Sequence, residues 1–199
     1  MTVDYYAGAG RRWLRAAELV YGPFARELLA MSPHSLQGRT VLDAGAGTGV
    51  ASVALAEWGA HPVAMDLSLD MLSQLATPAP PCFVANIYSV PIANRSVDDA
   101  FASFVLNHLL DPVAGLAELV RVVKPGGALL AAVYSAASRS AVRDRVDAVA
   151  VEAGWQIPDW YIELKATAVP LLGSASAMQA AAGAAGLVSV VVDERVVDV

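Results

Sequence analysis

Along the chain the spacing of apolar and polar positions changes several times, and each change marks an element. From Tyr5 to Met31 apolar residues recur at Trp13, Leu14, Ala17, Val20, Tyr21, Phe24, Leu28 and Leu29. That three-to-four spacing predicts a helix buried on one face, with Gly22-Pro23 expected to break or restart it. After the turn Ser32-Pro33-His34-Ser35 the pattern becomes short apolar runs bounded by glycine, proline and acidic residues. These runs predict strands at Thr40–Asp43, His61–Met65, Cys82–Ala85, Asp99–Val105 and Ala128–Tyr134. Between them helices are predicted from Thr48 to Trp58 with Gly59 as a left-handed cap, over Leu69–Leu75 with Ser68 as N-cap, and from Asp111 or Pro112 to Val123. Strands alternating with helices through short connections mean an α/β fold, doubly wound, with a mostly parallel sheet covered by helices on both faces.

Beyond Tyr134 the pattern weakens. A helix is predicted over Ser138–Ala153, and Trp155 to Leu172, interrupted by Pro158 and Pro170, reads as a looser cap segment. A further helix, Ser176–Ala185, stops at Gly186, and a sixth strand runs from Leu187 to Val192 and on towards Val199. The apolar stretch from Ser174 to Val192 is interrupted by Gln179, Ser189 and glycines and does not read as a membrane span. At 199 residues the chain reads as one domain, 1–199. Within it, 1–37 read as an N-terminal helical lid, 38–135 as the alternating core, 136–175 as a cap segment and 176–199 as a last helix and strand.

Composition narrows the partners. Hydrophobic residues make up 56% of the chain and charged ones 16%, which suits parallel strands covered on both faces. The formal net charge of −6 and the lack of a long Lys/Arg run argue against nucleic acid as a partner. Arg11, Arg12 and Arg15 read as a solvated helix face. A single cysteine, Cys82, excludes an internal disulfide, and its apolar setting predicts an inert thiol in a buried strand. With no signal-like segment at the N-terminus, a cytoplasmic location is expected.

The candidate chemistry lies in Val41-Leu42-Asp43-Ala44-Gly45-Ala46-Gly47-Thr48-Gly49, which closes one strand and opens a helix. Three glycines at alternate positions leave the backbone bare and free to take positive φ, and the helix behind them turns its N–H groups towards a ligand. A dinucleotide fingerprint requires a third glycine where Val50 stands, and no Gly-Lys-Ser/Thr follows to make a Walker A loop. The next strand ends in Asp66, whose carboxylate can accept hydrogen bonds from both ribose hydroxyls of an adenosine moiety. This pairing of glycine loop and second-strand acid resembles the class I S-adenosylmethionine (SAM) dependent methyltransferases of the small-molecule type. Asp66-Leu67-Ser68, Val105-Leu106-Asn107-His108-Leu109 and Arg121-Val122-Val123-Lys124-Pro125-Gly126-Gly127 carry the likeness further, over Gly38 to Tyr134.

The resemblance implies a Rossmann-like sheet, with SAM as cofactor and S-adenosylhomocysteine as product. Asp43, Ala44, Gly45, Ala46, Gly47 and Gly49 would hold the cofactor and Asp66 its ribose, with Leu67 and Met71 near the adenine. Asn86 stands where the family often has an acid that binds the adenine amino group, followed by Ile87, and Phe104 matches a stretch lying along the methionyl part. Several family members carry His-His at Asn107-His108; the first, often the proposed base, is Asn107 here, which leaves His108 as the catalytic candidate. Aromatic side chains of the lid (Tyr5, Tyr6, Trp13) and cap (Trp155, Trp160), with Asn107, would shape the acceptor pocket. No spacing suggests a metal site.

The expected activity is methyl transfer to oxygen, nitrogen or carbon of a small apolar or aromatic molecule, by a monomer or homodimer with no membrane partner. The alternative is a SAM-binding module or subunit without methyl transfer. A nicotinamide oxidoreductase is disfavoured by Val50 and by the lack of a Tyr-x-x-x-Lys pair. The family's antiparallel seventh strand has no counterpart, because Asp193-Glu194 is a poor hairpin turn. That leaves an apolar sheet edge, and a truncated version of a longer protein is the favoured explanation.

Overall fold

The computed structural model describes residues 4–138 and 140–197. Five strands form one sheet: β1 (Thr40–Ala44), β2 (His61–Asp66), β3 (Cys82–Val84), β4 (Asp99–Ser103) and β5 (Leu129–Ala132). They pair in parallel in the order β3-β2-β1-β4-β5. The helices are α1 (Gly10–Ala30), α2 (Val50–Glu57), α3 (Leu69–Leu72), α4 (Pro112–Val122), α5 (Ala141–Glu152), α6 (Asp159–Leu172) and α7 (Ala175–Ala184).

Alternation along the strands sends neighbouring residues to opposite faces. On one face Val41, Phe101 and Leu130 join Ala25, Leu29, Ala51 and Leu55 beneath α1 and α2. On the other, Leu42, Ala100 and Ala102 meet Leu116 and Leu119 of α4, Leu172 of α6 and Ala181 of α7. The chain order reverses between β1 and β4, and such a reversal leaves a crevice beyond the carboxyl ends of those strands. At their amino ends Asp99, almost wholly buried, accepts from the Arg39 guanidinium, from His34 Nε2 at 2.9 Å and from the Ala128 N–H at 2.7 Å. Burial pushes its carboxyl up, but these partners outweigh it and hold the group below the usual range. His34, in the turn after α1, therefore belongs to a structural network.

Several expectations are corrected. Gly22-Pro23 does not break the first helix; Pro23 lies inside α1, because Ala17, Ala25, Leu28 and Leu29 on either side bury on one face. The cap segment is regular: Pro158 stands at the N-cap of α6, where a missing N–H costs nothing, and Leu164, Ala168 and Leu172 form its buried stripe. Cys82 is exposed, since β3 is an edge strand of the sheet. Leu187–Val192 forms no strand. Its alternation would suit one, yet Val188 and Val191 stay exposed at 82% and 81%, and the following residues are tied elsewhere. Arg195 pairs with Glu27 of α1 at 2.9 Å, and Glu194 accepts from the Ala175 N–H at 3.2 Å. Asp198 and Val199 lie outside the described residues, among which there is no seventh strand.

Candidate functional site

At the carboxyl ends of β1, β2 and β4 lies a cavity of about 400 Å³, within the range of small-molecule sites. Its floor is the bend after β1. Gly45 and Gly47 take φ of +73° and +56°, and Gly49, the N-cap of α2, takes +91°. Gly45 and Ala46 donate their N–H groups to the Met65 carbonyl at 2.8 and 3.0 Å, tying the bend to β2. A Cβ on Gly45 would meet Val105 at 2.5 Å, so only glycine lets the two strand ends approach this closely.

Two acids frame the bend. Asp43 is 1% exposed and accepts from Ser52 Oγ at 2.6 Å. Burial pushes its carboxyl up to about 7 against the opposing Ser52 hydrogen bonds, with the Asp66 charge adding to the rise. Asp66 ends β2 and accepts from the Gly47 N–H at 2.8 Å through Oδ2 and from the Ser68 N–H at 2.9 Å through Oδ1. Burial raises its pKa as well, while these N–H groups oppose the rise. Each carboxylate oxygen accepts more than one hydrogen bond, so Asp66 keeps acceptor capacity for a ligand.

Phe104, immediately after β4, holds φ of +60°, an uncommon conformation for a bulky residue and of the strained kind that clusters at binding sites. Its N–H donates to the Ala132 carbonyl at 2.8 Å, and its ring lies 4.4 Å from that of Tyr134 and 5.1 Å from that of Phe24. The next turn, a 3-10 segment over Leu106–His108, points His108 into the cavity. The Tyr6 hydroxyl stands 3.3 Å from His108 Nε2 and 3.4 Å from Nδ1, with the rings edge to face. Burial lowers the His108 pKa and keeps the ring neutral at physiological pH. Burial also pushes the Tyr6 hydroxyl up to about 12, so it stays a neutral phenol beside the ring.

The roof is aromatic. Tyr5 stacks on Trp160 of α6 at 4.3 Å, and Trp13 stacks on Tyr21 on one side and meets Tyr6 edge-on at the other. The start of α1 is anchored by Asp70, whose Oδ2 accepts from the Gly10 N–H at 2.7 Å. Among the described residues the cavity lining carries four carboxylates, Asp4, Asp43, Asp66 and Glu163, and neither lysine nor arginine.

Most sequence-derived candidates meet here: Asp43, Gly45, Ala46, Gly47, Asp66, Leu67, Met71, Asn86, Ile87, Phe104, His108, Tyr5, Tyr6, Trp13 and Trp160 all line the cavity. The Asn86 oxygen accepts from the Tyr88 N–H at 3.0 Å, forming a tight turn after β3. Four candidates stand away from the lining. Ala44 is fully buried in the sheet, and Gly49 backs against Leu75 of the loop after α3. Asn107 faces the other side of its tight turn, where Oδ1 accepts from the Tyr134 N–H at 3.4 Å. Trp155 lies between α5 and α6, 45% exposed, because α6 starts only at Asp159 and presents Trp160 instead.

Sequence reasoning passed over Asp4, Tyr21, Thr48, Tyr88, Ser103 and Glu163 as lining residues. Glu163 and Leu164 follow Trp160 by three and four positions, a helical signal hidden by the expectation of an irregular cap. Thr48 and Ser103 sit inside or beside the quoted motifs.

Residues 42–131 match the model of a family described as a methyltransferase domain. The demethylmenaquinone methyltransferase of Corynebacterium urealyticum is 44% identical over 98 residues, covering 49% of this chain and 43% of that protein. That of Mycolicibacterium vanbaalenii is 38% identical over 128 residues, covering 64% of this chain and 51% of that protein. The chain thus spans about half the length of the curated relatives it matches. Among solved structures, the methyltransferase in complex with the Trm112 methyltransferase activator of Haloferax volcanii superposes with a TM-score of 0.67. It is 23% identical, over 94% of this chain and 77% of that one. A SAM-dependent methyltransferase of Thermotoga maritima gives a TM-score of 0.63 at 19% identity, over 88% of this chain and 75% of that one. At those identities the likeness is one of fold.

Proposed function

We propose that this chain, whose residues 42–131 belong to the methyltransferase-domain family, transfers the methyl group of S-adenosylmethionine to a small apolar or aromatic acceptor. The observation that carries this reading is the meeting of Asp43, the glycine bend and Asp66 in one cavity where the strand order reverses. The residues present fit the cofactor. The bend is bare where a Cβ would collide, Asp66 keeps acceptor capacity for a ribose diol, and the acidic lining favours a cationic ligand. Asp43 and the Gly45-Ala46-Gly47 bend would hold it together with Asp66, and Leu67 and Met71 would pack beside its base.

When bound, SAM supplies an electrophilic methyl group on a sulfonium that is already a good leaving group. Acceleration then comes mainly from placement and exclusion of water, which the aromatic roof of Tyr5, Tyr6, Trp13 and Trp160 provides. Neutral His108 would take a proton from an acceptor that must lose one, and the Tyr6 hydroxyl beside it orients the ring. With no cation in the described lining, a neutral or cationic acceptor is favoured over an anionic one.

Two measurements test the proposal. Thermal shift with SAM, S-adenosylhomocysteine and NAD should show stabilisation by the first two only. Turnover of methyl-labelled SAM against a panel headed by demethylmenaquinone, the compound for which the relatives are named, with simple phenols and aromatic amines, identifies the acceptor. Stabilisation by NAD alone refutes the cofactor assignment. Stabilisation by SAM without turnover on any acceptor favours a binding module instead.

A further inference from the structure

Among the described residues every other helix buries side chains in the core, but α5 buries none. Only its Ala150 is even partly covered. A helix of 12 residues standing alone is marginal in water even when rich in alanine. This one carries Val142, Val146, Val149 and Val151, whose branched side chains disfavour the helix further. Its stability has to come from a partner, and the pattern of its residues says which.

Val142, Val146 and Val149 follow one another at spacings of four and three. Ala153, whose N–H donates to the Val149 carbonyl at 3.0 Å, continues the row. That is the seam spacing of paired helices, and the three valines are between 50% and 76% exposed. Arg145 and Glu152, two turns apart, share one flank of the seam. In antiparallel pairing about a two-fold axis the same flank of each helix faces its copy, so Arg145 meets Glu152 in both directions. Parallel pairing would set Arg145 across from Ala150 instead, with no charge to meet. A lipid surface suits this face less. Across α5 and α6, Arg143, Arg145 and Lys165 are outnumbered by Asp144, Asp147, Glu152, Asp159 and Glu163, whereas anionic headgroups select a basic face. We propose that α5 is the docking surface for a second copy of this chain, paired antiparallel along the valine seam with Arg145 on Glu152 at either end. Beyond Pro158 the chain enters α6, which brings Trp160 and Glu163 to the cavity, so pairing also steadies the cap. None of this depends on what the cavity binds.

Sedimentation velocity of the whole chain over about a hundredfold range of concentration tests the pairing. The parent should form dimers, and Val146→Asp and Val149→Asp should stay monomeric. Both positions are exposed in the single chain, so the melting temperature of diluted, monomeric protein should stay level. Arg145→Glu should weaken the dimer about tenfold by setting like charges together twice, and Arg145→Glu with Glu152→Arg should restore it. A parent that is monomeric throughout overturns the proposal, as does a dimer that survives Val146→Asp and so uses another face. A double reversal no tighter than the single one refutes the antiparallel register. A monomeric parent that floats with phosphatidylcholine vesicles, and no longer does so as Val146→Asp, assigns the stripe to a lipid surface and overturns the pairing.

Discussion

Gly45 offers a stringent test of the site, because two separate physical costs meet at one residue. Its φ of +73° lies where an L-residue with a Cβ loses about 1–2 kcal/mol. A Cβ there would also stand 2.5 Å from Val105 Cβ and Cγ2, and forcing extra volume into a packed position costs about 1–3 kcal/mol. Gly126, on the turn before β5, separates the two: its φ is +81° but nothing lies within 4 Å of where a Cβ would sit. Gly126→Ala should therefore cost about 1–2 kcal/mol and Gly45→Ala about 2–5 kcal/mol. The unfolded-chain gain from replacing glycine is common to both and cancels in the comparison. Urea unfolding followed by circular dichroism gives each value, and the difference isolates the approach of the bend to Val105. Equal destabilisation refutes the close approach; a cost below about 0.5 kcal/mol at both sites refutes the positive-φ argument. At this size the expected gap of about 1–3 kcal/mol corresponds to several degrees in melting temperature.

Three further outcomes follow from the same geometry. Asp43 titrates near 7 when folded against 3.8 for the free group, so the folded state holds its proton more tightly. Its contribution to stability is complete below the unfolded value and is lost as pH rises through the folded one, by up to roughly 4 kcal/mol. Asp43→Asn should flatten the denaturation midpoint across that interval, and an unchanged pH dependence contradicts the assignment. Asp70→Ala leaves the Gly10 N–H without its acceptor and should cost about 1 kcal/mol, with faster amide exchange in the first turn of α1. Exchange rates matching the parent's would show that the start of α1 is anchored elsewhere. Because burial lowers the His108 pKa, kcat/KM should fall only below the ordinary histidine range, and His108→Ala should remove that acid limb. A limb that survives in the variant assigns it to another group.

Five strands and their alternation with helices were legible in the residue pattern, with their closing residues placed to within one or two positions. Short β-rich runs between glycines and acids left one economical arrangement, a parallel sheet, and fixed Asp43, Gly45, Gly47 and Asp66 at its carboxyl edge. Local chemistry explains why: positive φ favours glycine, and strand ends are set by the residues that stop them. What the tertiary structure decided lay where burial overrides local preference. Pro23 stays inside α1 because the helix buries apolar residues on both sides of it, and α6 is regular because Leu164, Ala168 and Leu172 share one buried stripe. The direction of His108 into the cavity and of Asn107 away from it depends on a three-residue turn that no periodicity encodes. The last apolar segment alternates like a strand yet forms none among the described residues, since a strand needs a neighbouring edge and its charged residues bind α1 and α7 instead. Charge in the cavity is likewise a property of assembly. Asp4, Asp43, Asp66 and Glu163 are scattered along the chain, and only folding gathers them on one lining where burial gives their charges force.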